Sequence, residues 1–280
     1  DSSESRGLGD VYKRQIAASS AEEARELTRA ELASWSDEEF ADYAARLPRN
    51  YWTGFDTDMH VRHAGLGRTF RDMDVPLLTD FRQVAERKVT ELTLLTVDDA
   101  GLFSRVAGSV AGLGINIIGA RITTCTDGTV LDVFQLQTAD NELVSDKLVL
   151  ERLQEGITGA VSGTLRPQAA LDERWRSLPA RVRRLPVRSR VILSNRISST
   201  HTVIEINGRD FPGLLHRLTR TLADLGLQIQ TATVSTYGER AVDVFYVKDL
   251  FGLQVHNQAR LDTIRDRLLA VFEQVDEAAA

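Results

Sequence analysis

Residues 210–229 read DFPGLLHRLTRTLADLGLQI, and residues 99–117 read DAGLFSRVAGSVAGLGINI. Each stretch opens on an acidic residue and turns through Pro-Gly-Leu or Ala-Gly-Leu. Each then runs as an amphipathic helix to a Leu-Gly stop and passes into an apolar strand. Aligning Gly101 with Gly213 brings Asp98 onto Asp210, Arg105 onto Arg217, Ala111 onto Ala223, Gly114 onto Gly226 and Ala120 onto Ala232. One residue fewer in the second turn then places Asp132-Val133-Phe134 on Asp243-Val244-Phe245. Matches spread through helices, strands and turns alike, which is the signature of a duplicated unit.

The surrounding pattern completes both copies. VTELTLLTV alternates as a strand with one buried face, and Gly101 opens a helix with Leu102, Val106, Val110 and Leu113 on its apolar side. Gly114 ends that helix, INIIGARITT and TVLDVFQLQ form a hairpin about TDG, and a helix is expected over about 143–155. The second copy repeats the order: THTVIEING, a helix over 212–225, LQIQTATVSTY, AVDVFYVKD, and a closing helix over 259–275. The order βαββα(β) specifies an α+β, ferredoxin-like sandwich, an antiparallel sheet covered by helices on one face. No closing strand is evident after Val275, so RVILSN, ahead of the second copy, is the candidate to complete its sheet.

The rest of the chain is less regular. Residues 20–47 carry a helical rhythm in two parts, with Ser36 and Glu39 spaced as a capping box and Pro48 as a stop. Their apolar stripe is thin, as if meant to pack on a larger domain. His60 and His63, beside Asp56 and Asp58, have too poor a spacing to argue for a metal. RWRSLPARVRRLPVRSR, between the two units, reads as a solvated basic linker, with an anion site as the sharper alternative. The chain of 280 residues has 42% apolar and 26% charged residues and a net charge of −6, so no overall basic surface points to nucleic acid. Its single Cys125 excludes an internal disulfide, and no run of about 20 apolar residues offers a membrane span. The expected setting is the cytoplasm.

The repeated turn suggests chemistry. Backbone N–H groups at a helix start suit a carboxylate, and Gly101 and Gly213 allow close approach, while Pro212 sits where a missing N–H is tolerated. Asp98 and Asp210 either receive an ammonium group or cap the helix. Asn116 and Gln228 occupy matching places after the helix, where each can bond a ligand amide or cap a strand. The candidate amino-acid site therefore comprises Asp98, Gly101, Leu102, Asn116 and Ile117 in one copy and Asp210, Pro212, Gly213, Leu214, Gln228 and Ile229 in the other. The same glycines and aspartates serve equally well as plain turns and caps.

DDAGLFSRVAGSVAGLGINIIGARI and RDFPGLLHRLTRTLADLGLQIQTATVSTYGERAVDVFYVKDLFG resemble tandem ACT domains, amino-acid-sensing modules of metabolic enzymes. STYGERAVDVFYVKDLFGL, with the upstream LPRNYW, more narrowly resembles the C-terminal region of bifunctional uridylyltransferase/uridylyl-removing enzymes, which modify the PII nitrogen-signal protein. Residues 1–15 carry no apolar period, and their GLGDVYKRQ looks like sequencing-adapter read-through, with a natural flexible terminus as the alternative. The resemblance implies a helical remnant of the end of an HD-type region at 16–85. It implies a first ACT domain at 88–160, a basic linker with a possible extra strand at 161–200, and a second ACT domain at 201–276. It implies glutamine sensing, with PII a partner through the intact enzyme. Neither the Gly-Ser turn and paired aspartates of a nucleotidyltransferase nor the His…His-Asp…Asp set of an HD hydrolase is found in the sequence. Catalysis, with its Mg and UTP, is therefore expected upstream, with no cofactor in this segment. In the first turn Ala100 replaces the family's Pro. A free-standing ACT sensor or dimerisation module, and the tail of a different ACT-bearing enzyme, stand as alternatives.

Overall fold

The computed structural model describes residues 20–167, 171, 173, 187–237 and 240–277. The expected tail at 1–15 and residues 174–186 of the Arg-rich run lie outside the described residues. Contacts divide the chain into two compact units, one of Asp1–Leu78, Leu95–Asp98 and Thr123–Leu131, the other of Thr79–Leu94, Asp99–Ile122 and Asp132–Ala280.

In the first unit α1 (Ala21–Glu31), α2 (Asp37–Arg46), α3 (Arg49–Trp52) and α4 (Thr57–Met73) follow one another with short turns. Ser20 caps α1, Ser36 and Glu39 close a full capping box on α2, and Asp56 caps α4 through the Met59 N–H at 2.9 Å. The core here is aromatic instead of periodic aliphatic. Trp52 is 0% exposed and meets the rings of Phe40, Tyr43, Tyr51 and His60. The thin stripe read from 20–47 is thus supplemented by rings from the irregular aromatic stretch that follows it.

The second unit holds most of the sheet. Its strands are β1 (Leu77–Val84), β2 (Val89–Val97), β3 (Asn116–Arg121), β4 (Thr129–Gln137), β5 (Arg190–Ser194), β6 (Thr202–Arg209), β7 (Leu227–Tyr237) and β8 (Arg240–Asp249). Between them come α5 (Leu102–Gly112), α6 (Lys147–Val161), α7 (Leu214–Asp224) and α8 (Gln258–Glu277). The sheet order is β1-β2-β4-β3-β7-β8-β6-β5. In the second repeat β8 is antiparallel to both β6 and β7, so β6 and β7 run the same way with β8 between them, a split β-α-β unit. Fold class and duplication are therefore as the sequence implies: two ferredoxin-like ACT-type repeats.

Reading outward from the centre, the sheet runs β3, β4, β2, β1 on one side and β7, β8, β6, β5 on the other. This is a pseudo-two-fold arrangement. At its centre Ala120 pairs with Ala232, the two residues that the sequence alignment makes equivalent. Above the sheet α5 packs on α7, with α6 beyond α5 and α8 beyond α7. The contact between α5 and α7 is again made by equivalent residues. His216 Nδ1 lies 2.7 Å from the Ser104 carbonyl oxygen and 3.0 Å from its hydroxyl, and that hydroxyl donates to the His216 carbonyl at 3.1 Å. A proton on Nδ1 serves the carbonyl, and both residues are buried.

Four local readings change, while RVILSN takes the edge position expected of it. Residues 77–84, left within the helical segment, form the edge strand β1. RVILS forms β5 at the opposite edge, paired with β6 through Val191 to Ile206 and Leu193 to Ile204. VTELTLLTV is buried along both faces up to Thr96, and Glu91, on the face opposite Leu92, is held by Arg87 at 2.6 Å and Arg82 at 3.7 Å. Leu113 falls just past the end of α5 and is 39% exposed. The helix expected near 143–155 starts later, where Asp146 accepts from Leu148 N–H at 2.8 Å.

A Cβ added at Gly108 would stand 2.6 Å from Pro167 Cβ and 2.9 Å from His216 Nδ1. Within a helix Gly→Ala normally gains up to about 1 kcal/mol. Gly108→Ala is expected to lose about 1–3 kcal/mol in urea denaturation through overpacking, whereas Gly156→Ala in α6, with Ser109 Cβ at 3.8 Å, gains stability. Stabilisation by Gly108→Ala would contradict this helix packing.

Candidate functional site

The turn before α7 is built by Asp210, Phe211, Pro212 and Gly213. Gly213 adopts φ 84°, a left-handed conformation open to glycine, and Gly101 matches it with φ 78°. Leu214 N–H closes the turn on the Phe211 carbonyl at 3.0 Å, and no side chain caps either helix. Asp210 therefore does not cap α7. It stays exposed at the mouth of the turn, where Thr236 Oγ1 of β7 donates to its Oδ2 over a long 3.4 Å.

Behind Asp210 lies a second acid. Asp243 on β8 pairs with Ile206 of β6 and shares the core face with Ala241 and Phe245; it is 1% exposed. Its Oδ1 has no hydrogen-bond partner among the described residues. Burial pushes its carboxyl up to about 8, and the neighbouring Asp210 charge adds to this. Burial also raises Asp210, against the lowering effect of Thr236 and the Phe211 N–H. Asp210 keeps its solvent contact through an open edge while its inner side is crowded by protein. The arrangement is a pair of carboxyls, one at the surface and one beneath it, at the start of a helix.

The antiparallel β3–β7 pairing brings the other repeat to this end. The ladder runs through Gly119 opposite Thr233, Ala120 opposite Ala232 and Arg121 opposite Thr231, so the N-terminal end of β3, beyond a bulge between Ile117 and Gly119, lies toward the C-terminal end of β7. Asn116 is exposed there and Ile117 is 5% exposed. The helix start with its acids, tied to β7 through Thr236, thus lies at the same sheet end as the first residues of β3. This combination offers groups to an ammonium, a carboxylate and a side-chain amide.

Residues 197–273 match the ACR family N-terminal ACT domain. Over most of its length the chain is also similar to bifunctional uridylyltransferase/uridylyl-removing enzymes. It is 42% identical over 250 residues to the enzyme of Rhodospirillum rubrum, covering 89% of this chain and 27% of that protein. For Azospirillum brasilense the identity is 44% over 244 residues, covering 86% and 26%. For Gluconobacter oxydans it is 42% over 249 residues, covering 88% and 26%. The chain belongs to the ACT-bearing part of this enzyme family. It spans about a quarter of the length of the curated relatives it matches. Among solved structures, an unknown protein from Galdieria sulphuraria aligns over 67% of this chain and 91% of its own, at 14% identity and a TM-score of 0.21, a likeness too low to carry an argument.

The remaining candidates of the ACT pair divide by burial. Leu102, Ile117, Leu214 and Ile229 are core residues, between 3% and 9% exposed, and hold the turns and strands in place. Gln228, like Asn116, is exposed at the start of its strand. In the first repeat Arg105 binds the Asp99 carboxylate and donates to the Ala100 carbonyl at 3.0 Å, so an arginine lies across the Gly101 turn. Asp98 is exposed and its N–H donates to the Gly128 carbonyl at 2.9 Å. The two turns are thus alike in backbone and different in what surrounds them. In the second, a Cβ at Gly213 would meet Leu171 Cδ1 at 2.9 Å. The open side that glycine provides is filled by Leu171, which precedes the second repeat and is 1% exposed.

Other chemistry-bearing residues have structural roles. His60 and His63 lie buried on α4 among Tyr51, Trp52 and Phe55, and no group of three or more metal-ligating side chains occurs among the described residues. A cleft of about 430 Å³ in the first unit, open to solvent, is lined by Tyr43, Phe70, Leu95 and Val130 with Arg46, Arg71 and Cys125. Its guanidiniums are already committed, Arg46 to Asp127 at 3.6 Å and Arg71 to Asp42 at 3.4 Å. No helix among the described residues is long and apolar enough to cross a membrane.

Sequence reasoning passed over Asp243, Thr236 and Leu171. Asp243 carried a signal, an acid at the core parity of AVDVFYV, but it served only to align the repeats. A carboxyl near 8 in the fold and about 4 when unfolded is protonated when folded and ionised when unfolded between those values. Its stabilisation is complete below about pH 4 and is lost as pH rises to about 8, at up to ~1.4 kcal/mol per unit. Urea midpoints from pH 5 to 8 should fall for the wild type and fall less for Asp243→Asn. Parallel curves for the two would refute the protonated buried state.

Proposed function

We propose that this chain is the amino-acid-sensing regulatory region of a uridylyltransferase/uridylyl-removing enzyme, with glutamine its ligand. One observation supports this above others: the start of α7 and its acids stand at the same sheet end as Asn116 of the opposite repeat. A ligand between them touches both repeats and so favours one packing of the pair over another. Through the whole enzyme such a preference couples amino-acid level to the catalytic portions, a coupling between separate sites. The family resemblance supports PII as the substrate protein, Mg and UTP in the catalytic portion and a cytoplasmic setting. Asp210 would receive the ligand ammonium, the first turn of α7 its carboxylate, and Asn116 its amide.

A second reading, a partner-docking module, draws on the loop after β8. Leu250, Phe251 and Leu253 are 66%, 84% and 62% exposed. The loop is held in shape by Asp249, whose Oδ1 accepts from the N–H of Phe251 at 2.9 Å and of Leu253 at 3.0 Å. Such an ordered apolar surface is typical of contact sites.

Thermal unfolding of the chain with each amino acid at millimolar concentration separates the readings. A ligand at 100 times its Kd stabilises by about 2.7 kcal/mol. Glutamine should raise the midpoint selectively, and Asp210→Ala should remove most of that rise. An equal response to all amino acids, or none, would reject the sensor reading in favour of docking.

A further inference from the structure

The acid behind Asp210 takes one hydrogen bond from the Ser235 backbone N–H, while its Oδ1 has no partner among the described residues. Across the ladder it faces Ile206 of β6 and Val234 of β7, and Gly208, opposite Ala241 on the same face, is pressed so closely by Phe272 of α8 that an added Cβ would stand 2.3 Å from the ring. Arg209 and Arg240, which pair with each other, have the opposite strand parity, and His216 of α7 is committed to Ser104. Asp249 has the same parity as Asp243 but lies six residues along β8, roughly 20 Å away. Asp210 is the charged group whose field reaches Asp243. A carboxyl held by a single backbone N–H in such a place is costly unless it holds a proton or meets a positive charge.

We propose that Asp210 and Asp243 act as one carboxyl pair that couples ligand binding to proton release. The proposal rests on the amino-acid reading above and deepens it. Without ligand, the buried member keeps its O–H intact and neutral while Asp210 faces solvent. An ammonium arriving at Asp210 brings a positive charge to the pair. The Asp243 O–H bond then breaks, the electron pair stays on the carboxylate, and the proton leaves to buffer. The ammonium stays protonated throughout and the glutamine zwitterion brings no net charge, so the site becomes more negative by the fraction of a proton that passes to buffer. Affinity for the ligand consequently rises with pH until Asp243 is ionised in the free protein, near pH 8. The Thr236 hydroxyl at 3.4 Å from Asp210 Oδ2 supplies a donor to its carboxylate in both states.

The test is isothermal titration of the full chain with L-glutamine at pH 7 in phosphate and in Tris, buffers with very different heats of ionisation. The expected result is a buffer-dependent enthalpy corresponding to release of about half a proton per ligand, as follows from a fall of about one unit in an acid titrating near the working pH. Asp243→Asn, which mimics the neutral carboxyl and keeps its shape, should still bind and should lose the buffer dependence. Heat that is the same in both buffers for the wild type overturns the proton coupling while leaving the sensor reading intact. Buffer dependence that survives in Asp243→Asn overturns the assignment to this pair. No heat in either buffer rejects the amino-acid reading, and the coupling with it.

Discussion

The antiparallel pairing of β3 with β7 is the constraint on which the rest of the second unit depends. Two ferredoxin-like repeats each have a sheet edge that needs a partner, and here each edge satisfies the other. The meeting point is Ala120 opposite Ala232, with further backbone bonding from Ile122 N–H to the Gln230 carbonyl at 3.0 Å. Once the strands are joined at that register, the helices above must cross close to the same axis. Ser104 and Gly108 on α5 leave room for His216 of α7, whose ring bonds the Ser104 backbone. A larger residue at Gly108 would push the helices apart. The two outer edges of the sheet are taken by β1 and β5, each placed ahead of the repeat it extends.

That symmetry explains both the promise and the inequality of the two turns. A duplicated scaffold repeats its backbone, so Gly101 and Gly213 share a left-handed conformation and a helix start. Side chains around the turns are free to diverge. The first turn is crossed by Arg105 and the second is covered by Leu171 and backed by Asp210 and Asp243. An arginine ion-paired with Asp99 lies across one helix start, and two acids stand beside the other.

Much of this was legible in the sequence because repetition amplifies weak signals. One Pro-Gly-Leu turn means little, but two units with matching turns, helix stops and strand residues fix the fold class and even pick out Ala120 and Ala232. The capping box of Ser36 and Glu39 was legible because its chemistry is local. Residues 77–84 were not, since their pairing with β2 is set by tertiary contact and not by alternation. Nor was the burial of β2 on both faces, where Arg82 and Arg87 reach Glu91. Asp243 looked like an alignment mark because its meaning arises from Asp210, a residue on another segment, and Leu171 lay in a stretch whose composition suggested only a linker.

The most direct test of a site shared between repeats is amide hydrogen exchange with and without saturating glutamine. The account predicts slower exchange in two separated segments together, the turn and first helical residues at 210–217 and the strand start at 115–118 of the opposite repeat. Protection confined to either segment alone, or absent from both, would contradict it.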